Sequence, residues 1–406
     1  MRRWIRPFAL TAVLAIAAAP LAGRAQQTPP EQAPPEVAEA ARTLVARLDL
    51  AHYKATIKAL TQFGDRRQGT DRNSHAADWI EEQLRAYGCS DVSRLRYEYQ
   101  PPPERQPAAP RPPRAPGSAV GGGHARGIES PTGVNTDPAK QPDEQLRALN
   151  AQATTPGQRE EPYATKIGTL HPNEMFIVGA HMDGHGWGEA ADDDGSGTAL
   201  VLELARVLCA NDVGTERSIR FALWNNEETG LDGSRAYVEQ RKALQGREDP
   251  AGSGKYPEPA WLGMIQHDMV LFDHGMPRRD GTMAPDQRPE ADVNVEFQSR
   301  SARAPEAQAL AWRLAAANER YASDYPVTVG NHMTNTDSTP FADLVASVSV
   351  RELERGTQIG SGWNPNWHQP TDRFTTYSDA DFRLGLNAAQ TTLGALAELA
   401  GTTIKK

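Results

Sequence analysis

The chain has 406 residues, two cysteines and a formal net charge of −9 at pH 7, from 43 basic and 52 acidic side chains. This length suits about two or three average domains, but it also suits one large α/β domain with insertions. The excess of acidic groups argues against nucleic acid and anionic membrane surfaces as binding partners.

The first 25 residues have the pattern of a secretory signal peptide. A basic start is followed by an almost wholly apolar stretch over residues 8–19 and by small residues around a cleavage position near Ala25. The apolar stretch is too short to span a membrane, and no other stretch approaches the roughly 18 apolar residues of a spanning helix. We therefore expect a periplasmic or secreted protein. Removal of this segment takes away four arginines and changes the formal charge from −9 to −13.

Residues 26–99 are predicted to form N-terminal helices and the first strand of the main domain. Apolar residues recur at helical spacing over residues 36–63, and a second helical pattern ends at Gly88. Residues 92–99 then have the composition of a strand.

The two cysteines, Cys89 and Cys209, each lie near the end of a separate predicted helix. Nothing in the sequence fixes the distance between them, so we expect two free, buried thiols. A disulfide formed in an oxidising compartment is the alternative.

A sharp change of composition follows at residues 100–158. Residues 101–116 contain eight prolines, and glycine is frequent over residues 117–127. Because such a segment buries little apolar surface, we expect a flexible insertion and not a domain.

Predicted strands and helices alternate over residues 159–406. The strands cover residues 163–170, 175–180, 218–224, 261–269, 292–297 and 346–350, and the helices cover 198–209, 231–244, 306–321 and 378–399. This alternation favours a three-layer α/β/α fold with a central mixed, largely parallel sheet.

Acidic and histidine side chains follow several of these strands. Taken singly, each has an ordinary structural explanation, since acids favour helix N-termini and turns. A largely parallel sheet, however, gathers the carboxyl ends of its strands at one edge, where ligands bind. The side chains that we expect to meet there are His181, Asp183, Asp193, Glu227, Glu228, Asp268 and His368.

This set of side chains suits a pair of zinc ions. Two ions about 3.5–4 Å apart need a bridging carboxylate and terminal ligands of their own. A further carboxylate, here Glu227, would take the proton from a water molecule. Asp183 would orient the ring of His181 by accepting its second N–H. The five candidate ligands are His181, Asp193, Glu228, Asp268 and His368.

Five motifs occur in the order HMD, ADDDGSG, WNNEETGLDGSRAY, IQHDM and NPNWHQPTD. In these motifs the sequence resembles the secreted di-zinc aminopeptidases of the bacterial leucyl-aminopeptidase type. Their zinc-peptidase fold also occurs in the transferrin receptor and in glutamate carboxypeptidase. The resemblance extends from about Tyr163 to the C-terminus. It implies two Zn²⁺ ions bridged by Asp193 and hydrolysis of the N-terminal bond of peptides or proteins, with Glu227 activating the water between the ions.

The sequence also departs from this family. The loop between His181 and Asp193 is short, and the Pro-rich insertion stands where some relatives carry a protease-associated domain. Relatives often place a Tyr or His near residues 335–338 to stabilise the oxyanion, and His332 is the nearby candidate here. Trp367 either lines the specificity pocket or only packs against its neighbours.

Three alternative functions remain open. A carboxypeptidase or dipeptidase could use the same fold and metals. A glutaminyl cyclase is less expected, because one zinc would suffice for it and the sequence holds a full set for two. A non-enzymatic, receptor-like module is disfavoured by the presence of Glu227 together with all five ligands.

Overall fold

A computed structural model of the chain describes residues 33–101, 134–272, 293–322, 324–331, 335–352 and 364–405. The predicted signal peptide (1–25), the first part of the predicted insertion and His332 lie outside these described residues. Among the described residues, no helix combines the length and the apolar character that crossing a bilayer requires.

The helices and strands follow the predicted alternation. In the described residues the helices are α1 Pro35–Val45, α2 Leu50–Leu60, α3 Asp71–Ala86, α4 Glu144–Asn150, α5 Gly195–Leu208, α6 Asp232–Arg241, α7 Ala304–Tyr321 and α8 Asp379–Leu399. The strands are β1 Asp91–Tyr99, β2 Gly157–Lys166, β3 His171–His181, β4 Val213–Thr215, β5 Arg217–Trp224, β6 Ala260–His267, β7 Val293–Phe297, β8 Val327–Gly330, β9 Ser347–Glu352 and β10 Thr402–Ile404.

Eight strands form one mixed sheet in the order β1-β2-β5-β3-β6-β9-β7-β8, and β4 pairs with β10. The central strands β5, β3, β6 and β9 run parallel, as do β7 and β8. The pairs β1–β2, β2–β5 and β7–β9 are antiparallel. The predicted α/β fold with a mixed, largely parallel sheet is therefore confirmed.

Side chains of β3 alternate between the two faces of the sheet, as the geometry of a strand requires. Phe176 and Val178 join the larger core, to which α1, α2, α3, α5, α7 and α8 contribute. Met175 and Ile177 join a smaller core on the opposite face, which contains α6 residues and Phe341. The sheet is thus the middle of three layers.

Part of the predicted insertion has regular structure, contrary to the expectation. Helix α4 lies within it, and Asp143 caps this helix by accepting hydrogen bonds from the backbone N–H groups of Gln145 and Leu146. Gln141 and Asn150 are buried although they are polar. The segment is held mainly by hydrogen bonds and not by a stripe of apolar residues, so hydrophobic periodicity could not reveal it.

Cys89 and Cys209 form a disulfide, with their Cα atoms 5.0 Å apart. The expectation of two free thiols was wrong. Cys89 follows α3 and Cys209 follows α5, and residues of both helices belong to the same core. The C-terminal ends of these two helices therefore meet, which the sequence alone could not show.

Candidate metal centre

The candidate site lies at the carboxyl ends of three adjacent parallel strands. His181 is the last residue of β3, Glu227 and Glu228 begin a 3₁₀ turn after β5, and Asp268 directly follows β6. Because these strands are neighbours in the sheet, their ends bring the four side chains to one edge.

The five predicted ligands come together in two groups that share Asp193. In the first group, His181 Nε2 lies 3.2 Å from Asp193 Oδ1 and 3.8 Å from Asp268 Oδ1. In the second group, His368 Nε2 lies 3.0 Å from Asp193 Oδ2 and 2.9 Å from Glu228 Oε2. We call these groups the first and second positions. The two oxygens of Asp193 therefore face different positions.

Asp194 fixes the loop between β3 and α5. Its Oδ2 accepts a hydrogen bond from the backbone N–H of His181 at 3.1 Å, and its Oδ1 accepts from the N–H groups of Gly197 and Met269 at 2.9 and 3.2 Å. One buried carboxylate thus ties the ends of β3 and β6 to the start of α5.

Arg66 is a structural residue of the site that the sequence did not reveal. Its guanidinium is fully buried and donates to the carbonyl oxygens of Met182, Glu189 and Ala190 at 2.8, 2.9 and 2.7 Å. These carbonyls belong to both ends of the loop that joins His181 to Asp193. Arg66 comes from a distant N-terminal turn with no metal-ligand motif, so no local signal marks it.

Asp183 acts differently from the prediction. His181 Nδ1 lies 2.9 Å from the backbone carbonyl oxygen of Asp183, whereas the Asp183 carboxylate is 3.9 Å away. The predicted contact of the carboxylate with the ring is therefore replaced by one with the carbonyl. The carboxylate accepts a hydrogen bond from the backbone N–H of Glu227 at 3.1 Å and so holds the turn that carries the Glu pair.

Glu227 lies beside both His181 and Glu228, with one ligand atom of each within 4.8 Å of the others. Burial raises the pKa of Glu227 well above its usual range, and the carboxylates of Glu228, Asp337 and Asp268 raise this pKa further against the opposing effect of His181. Asp337 was not predicted. Burial raises its pKa to about 7, and Ser234 Oγ donates to its Oδ1 at 2.5 Å.

Several buried polar atoms at this site have no hydrogen-bond partner among the residues that the structure describes: Asp183 Oδ2, His185 Nε2, Glu228 Oε1 and His368 Nδ1. The carboxylates also attract positive charge strongly. Burial alone would lower the pKa of His368, but Glu228 and Asp193 raise it to about 10. Imidazole nitrogens and carboxylate oxygens are the ligands that zinc accepts. The residues present therefore fit bound zinc.

Other side chains surround the second position. His185, which the sequence analysis did not select, lies with Glu228 and His368 in a third potential ligand group. Trp367 stacks on His368 with ring centroids 3.9 Å apart. A cavity of about 200 Å³ adjoins the site, with His185, Glu228, Arg67 and Tyr99 in its walls.

Two curated proteins illustrate the sequence similarity. The chain is 36% identical over 74 residues to leupeptin-inactivating enzyme 1 of Streptomyces exfoliatus, covering 18% of this chain and 17% of that protein. It is 42% identical over 69 residues to the aminopeptidase YwaD of Bacillus subtilis, covering 17% of this chain and 14% of that protein. The matched stretch thus spans less than a fifth of these relatives.

Solved structures share the fold. The LapA aminopeptidase of Legionella pneumophila has a TM-score of 0.55 at 16% identity, covering 93% of this chain and 78% of that one. BSAP, a zinc aminopeptidase of Bacillus subtilis, has a TM-score of 0.55 at 17% identity, with coverages of 88% and 96%. A glutaminyl cyclase of Porphyromonas gingivalis has a TM-score of 0.54 at 16% identity, with coverages of 87% and 99%.

The sequence model of peptidase family M28 matches residues 164–390. This range contains all five predicted ligands and both residues of the Glu pair. Because it covers more than half of the chain, the protein belongs to peptidase family M28.

Proposed function

We propose that this protein is a zinc-dependent aminopeptidase that hydrolyses the N-terminal bond of peptides or proteins. One observation carries the proposal: the two carboxylate oxygens of Asp193 face two separate ligand groups, and Glu227 stands beside them. Relatives such as YwaD are named as aminopeptidases, which supports this activity over the other reactions of the fold.

Two zinc ions would be held by the five residues of the two positions. His181 and Asp268 would bind the first ion, Glu228 and His368 the second, and Asp193 both. When bound, such ions polarise a carbonyl group and lower the pKa of a water molecule. They would also offset the mutual repulsion of the buried carboxylates.

Glu227 is the proposed general base. Its carboxylate takes a proton from the attacking water as the water oxygen bonds to the scissile carbonyl carbon. The same carboxyl group then gives this proton to the leaving nitrogen as the C–N bond breaks. The turn of Glu227 is held by the contact between its N–H and Asp183 Oδ1, which keeps the carboxylate near the reacting atoms.

The cavity beside Glu228 is the proposed site for the N-terminal residue of the substrate. The carboxylates of Asp183 and Glu228 lie in the cavity wall and can attract the protonated N-terminal amine of a substrate. The cavity is also lined by Arg67, Gln68, Tyr99 and Thr154, none of which is a proposed ligand, so it offers polar groups to the substrate side chain.

We also propose that the protein is exported. The N-terminal sequence has the pattern of a signal peptide. The Cys89–Cys209 disulfide suits an oxidising compartment such as the periplasm or the extracellular space.

A panel of amino-acid arylamides tests the activity. We expect hydrolysis of substrates with a free amine, loss of activity on chelation and recovery on addition of zinc. N-acetylated versions of the same arylamides should not be cleaved. Release of C-terminal residues from N-blocked peptides would instead indicate a carboxypeptidase, and cyclisation of an N-terminal glutamine without peptide hydrolysis would indicate a cyclase.

A further inference from the structure

His185 lies at the second position, against Glu228. Its Nε2 lies 2.9 Å from Glu228 Oε2, yet this buried nitrogen has no well-aligned hydrogen-bond partner among the described residues. Its side chain is only 12% exposed. Both atoms can instead be held by a cation at a third point next to them.

That third point suits a metal ion. One atom each from His185, Glu228 and His368 lie within 4.8 Å of one another. A tetrahedral zinc ion with bonds of about 2.0–2.2 Å separates its ligand atoms by about 3.4 Å, which is close to the contacts seen here. The rings of His185 and His368 are nearly perpendicular at 88°, with centroids 4.1 Å apart, so both rings fit side by side around one ion.

The backbone conformation of the loop places His185 at the second position. Gly186 has a φ of +96°, and a Cβ atom at this residue would lie 2.3 Å from the carbonyl carbon and oxygen of His368. Only glycine allows the chain to pass so close to the His368 loop. The ring of His185 is therefore set beside His368 by backbone packing.

The predicted insertion braces the same loop from outside. Gln141 Nε2 donates to the carbonyl oxygens of Trp187 and Pro370 at 2.7 and 3.1 Å. Asn150 Nδ2 donates to the carbonyl oxygen of Gly188 at 2.7 Å. Both side chains are buried. The loop that carries His185 is therefore held by the His368 loop on one side and by the predicted insertion on the other.

We propose that His185 is a fourth protein ligand at the second position, beside Asp193, Glu228 and His368. This inference rests on the proposed two-metal function. It makes the two positions unequal, with one imidazole at the first and two at the second. The ion at the second position is then held more tightly and has one open coordination site fewer for water or substrate.

X-ray absorption at the zinc edge tests the proposal on the zinc-loaded full chain. The wild-type spectrum should require three imidazoles for two ions, and the spectrum of His185→Ala should require two. Competition with a chromophoric chelator should show that this variant binds one of its two ions at least about tenfold more weakly. His75→Ala is the matched control, because His75 is an exposed histidine on α3.

The outcomes separate the two proposals. Two imidazoles for two ions in the wild-type protein, with equal zinc affinity in His185→Ala, would overturn the role of His185 and leave the two-metal function intact. A wild-type protein that binds no stoichiometric zinc would overturn both. If the alanine variant does not fold, His185→Gln serves as a second variant. The imidazole count of the wild-type protein tests the proposal without any variant.

Discussion

Asp372 holds Asp193 through the backbone: its Oδ2 accepts a hydrogen bond from the N–H of Asp193 at 3.2 Å. Its Oδ1 accepts from the N–H of Asp192 and from the hydroxyl of Tyr377, both at 2.9 Å. Asp372 follows His368 in the same loop, so one carboxylate joins the loop of a proposed terminal ligand to the turn of the proposed bridging ligand.

Replacing Asp372 with Asn should weaken zinc binding by about 10–100-fold, because an amide has only one acceptor oxygen for two backbone donors. Loss of one of these buried hydrogen bonds should also lower the free energy of unfolding by about 1–3 kcal/mol. Chelator competition measures the zinc affinity. Tyr377→Phe, which removes only the hydroxyl contact, should have a smaller effect, and wild-type affinity in Asp372→Asn would contradict this role.

The disulfide should stabilise the fold appreciably. Cys89 and Cys209 are 120 residues apart in sequence, and cross-linking a loop of this length removes much conformational entropy from the unfolded chain. The double variant Cys89→Ser/Cys209→Ser should lose about 2–5 kcal/mol of unfolding free energy, measured by urea denaturation. The wild-type protein under reducing conditions is the control and should resemble the double variant. Equal stability with and without reductant would show that the bond contributes nothing.

His267 should make stability depend on pH. It is fully buried, and burial lowers its pKa from 6.5 to about 4. Its Nδ1 lies 3.0 Å from the carbonyl oxygen of Gly179 and its Nε2 lies 2.9 Å from Thr392 Oγ1, so the ring is held in its neutral form.

As the pH is lowered, His267 becomes protonated in the unfolded chain at a higher pH than in the folded protein. The free energy of unfolding therefore falls as the pH drops from about 6.5 to about 4. At pH 5 the loss is about 2 kcal/mol for this one group. Urea denaturation of metal-free protein at pH 8 and pH 5 measures it. His267→Gln should show a shallower loss over this interval, and an identical pH dependence in the two proteins would refute the assignment.

Gln141 should support the site from the predicted insertion. Its side chain is the donor to Trp187 and Pro370, so Gln141→Ala frees the loop that carries His185. We expect a several-fold fall in zinc affinity or in kcat/KM with little change in the fold. Gln145→Ala is the matched control, since Gln145 is exposed in the same segment. Equal effects of the two variants would argue against a specific brace.

The sequence allowed the proposed ligands to be found because each lies directly after a strand or in a short motif. His181 and Asp268 follow strands that can be recognised from their apolar runs. A parallel sheet brings the carboxyl ends of these strands together. The same reasoning missed Arg66, Asp372 and the disulfide. These features depend on contacts between segments far apart in the chain, and their residue types have no local pattern that distinguishes them from ordinary surface groups.

His185 was missed for a different reason. It lies four residues after His181 in a glycine-rich loop, where a single histidine is usually an ordinary loop residue. Only the close approach of Gly186 to the backbone of His368 brings its ring to the site. The helix of the predicted insertion was missed because buried hydrogen bonds, and not apolar periodicity, hold it in place.

The proposed division of roles within the Glu pair has the most direct test. Glu227→Gln keeps the shape of the side chain but removes the base, so the variant should bind two zinc ions per chain and lose about 10²–10⁴-fold in turnover of a free-amine arylamide. Metal content and turnover are measured on the same preparation. Wild-type turnover, or a variant that retains only one zinc ion, would contradict the account, because Glu227 would then be dispensable or itself a ligand.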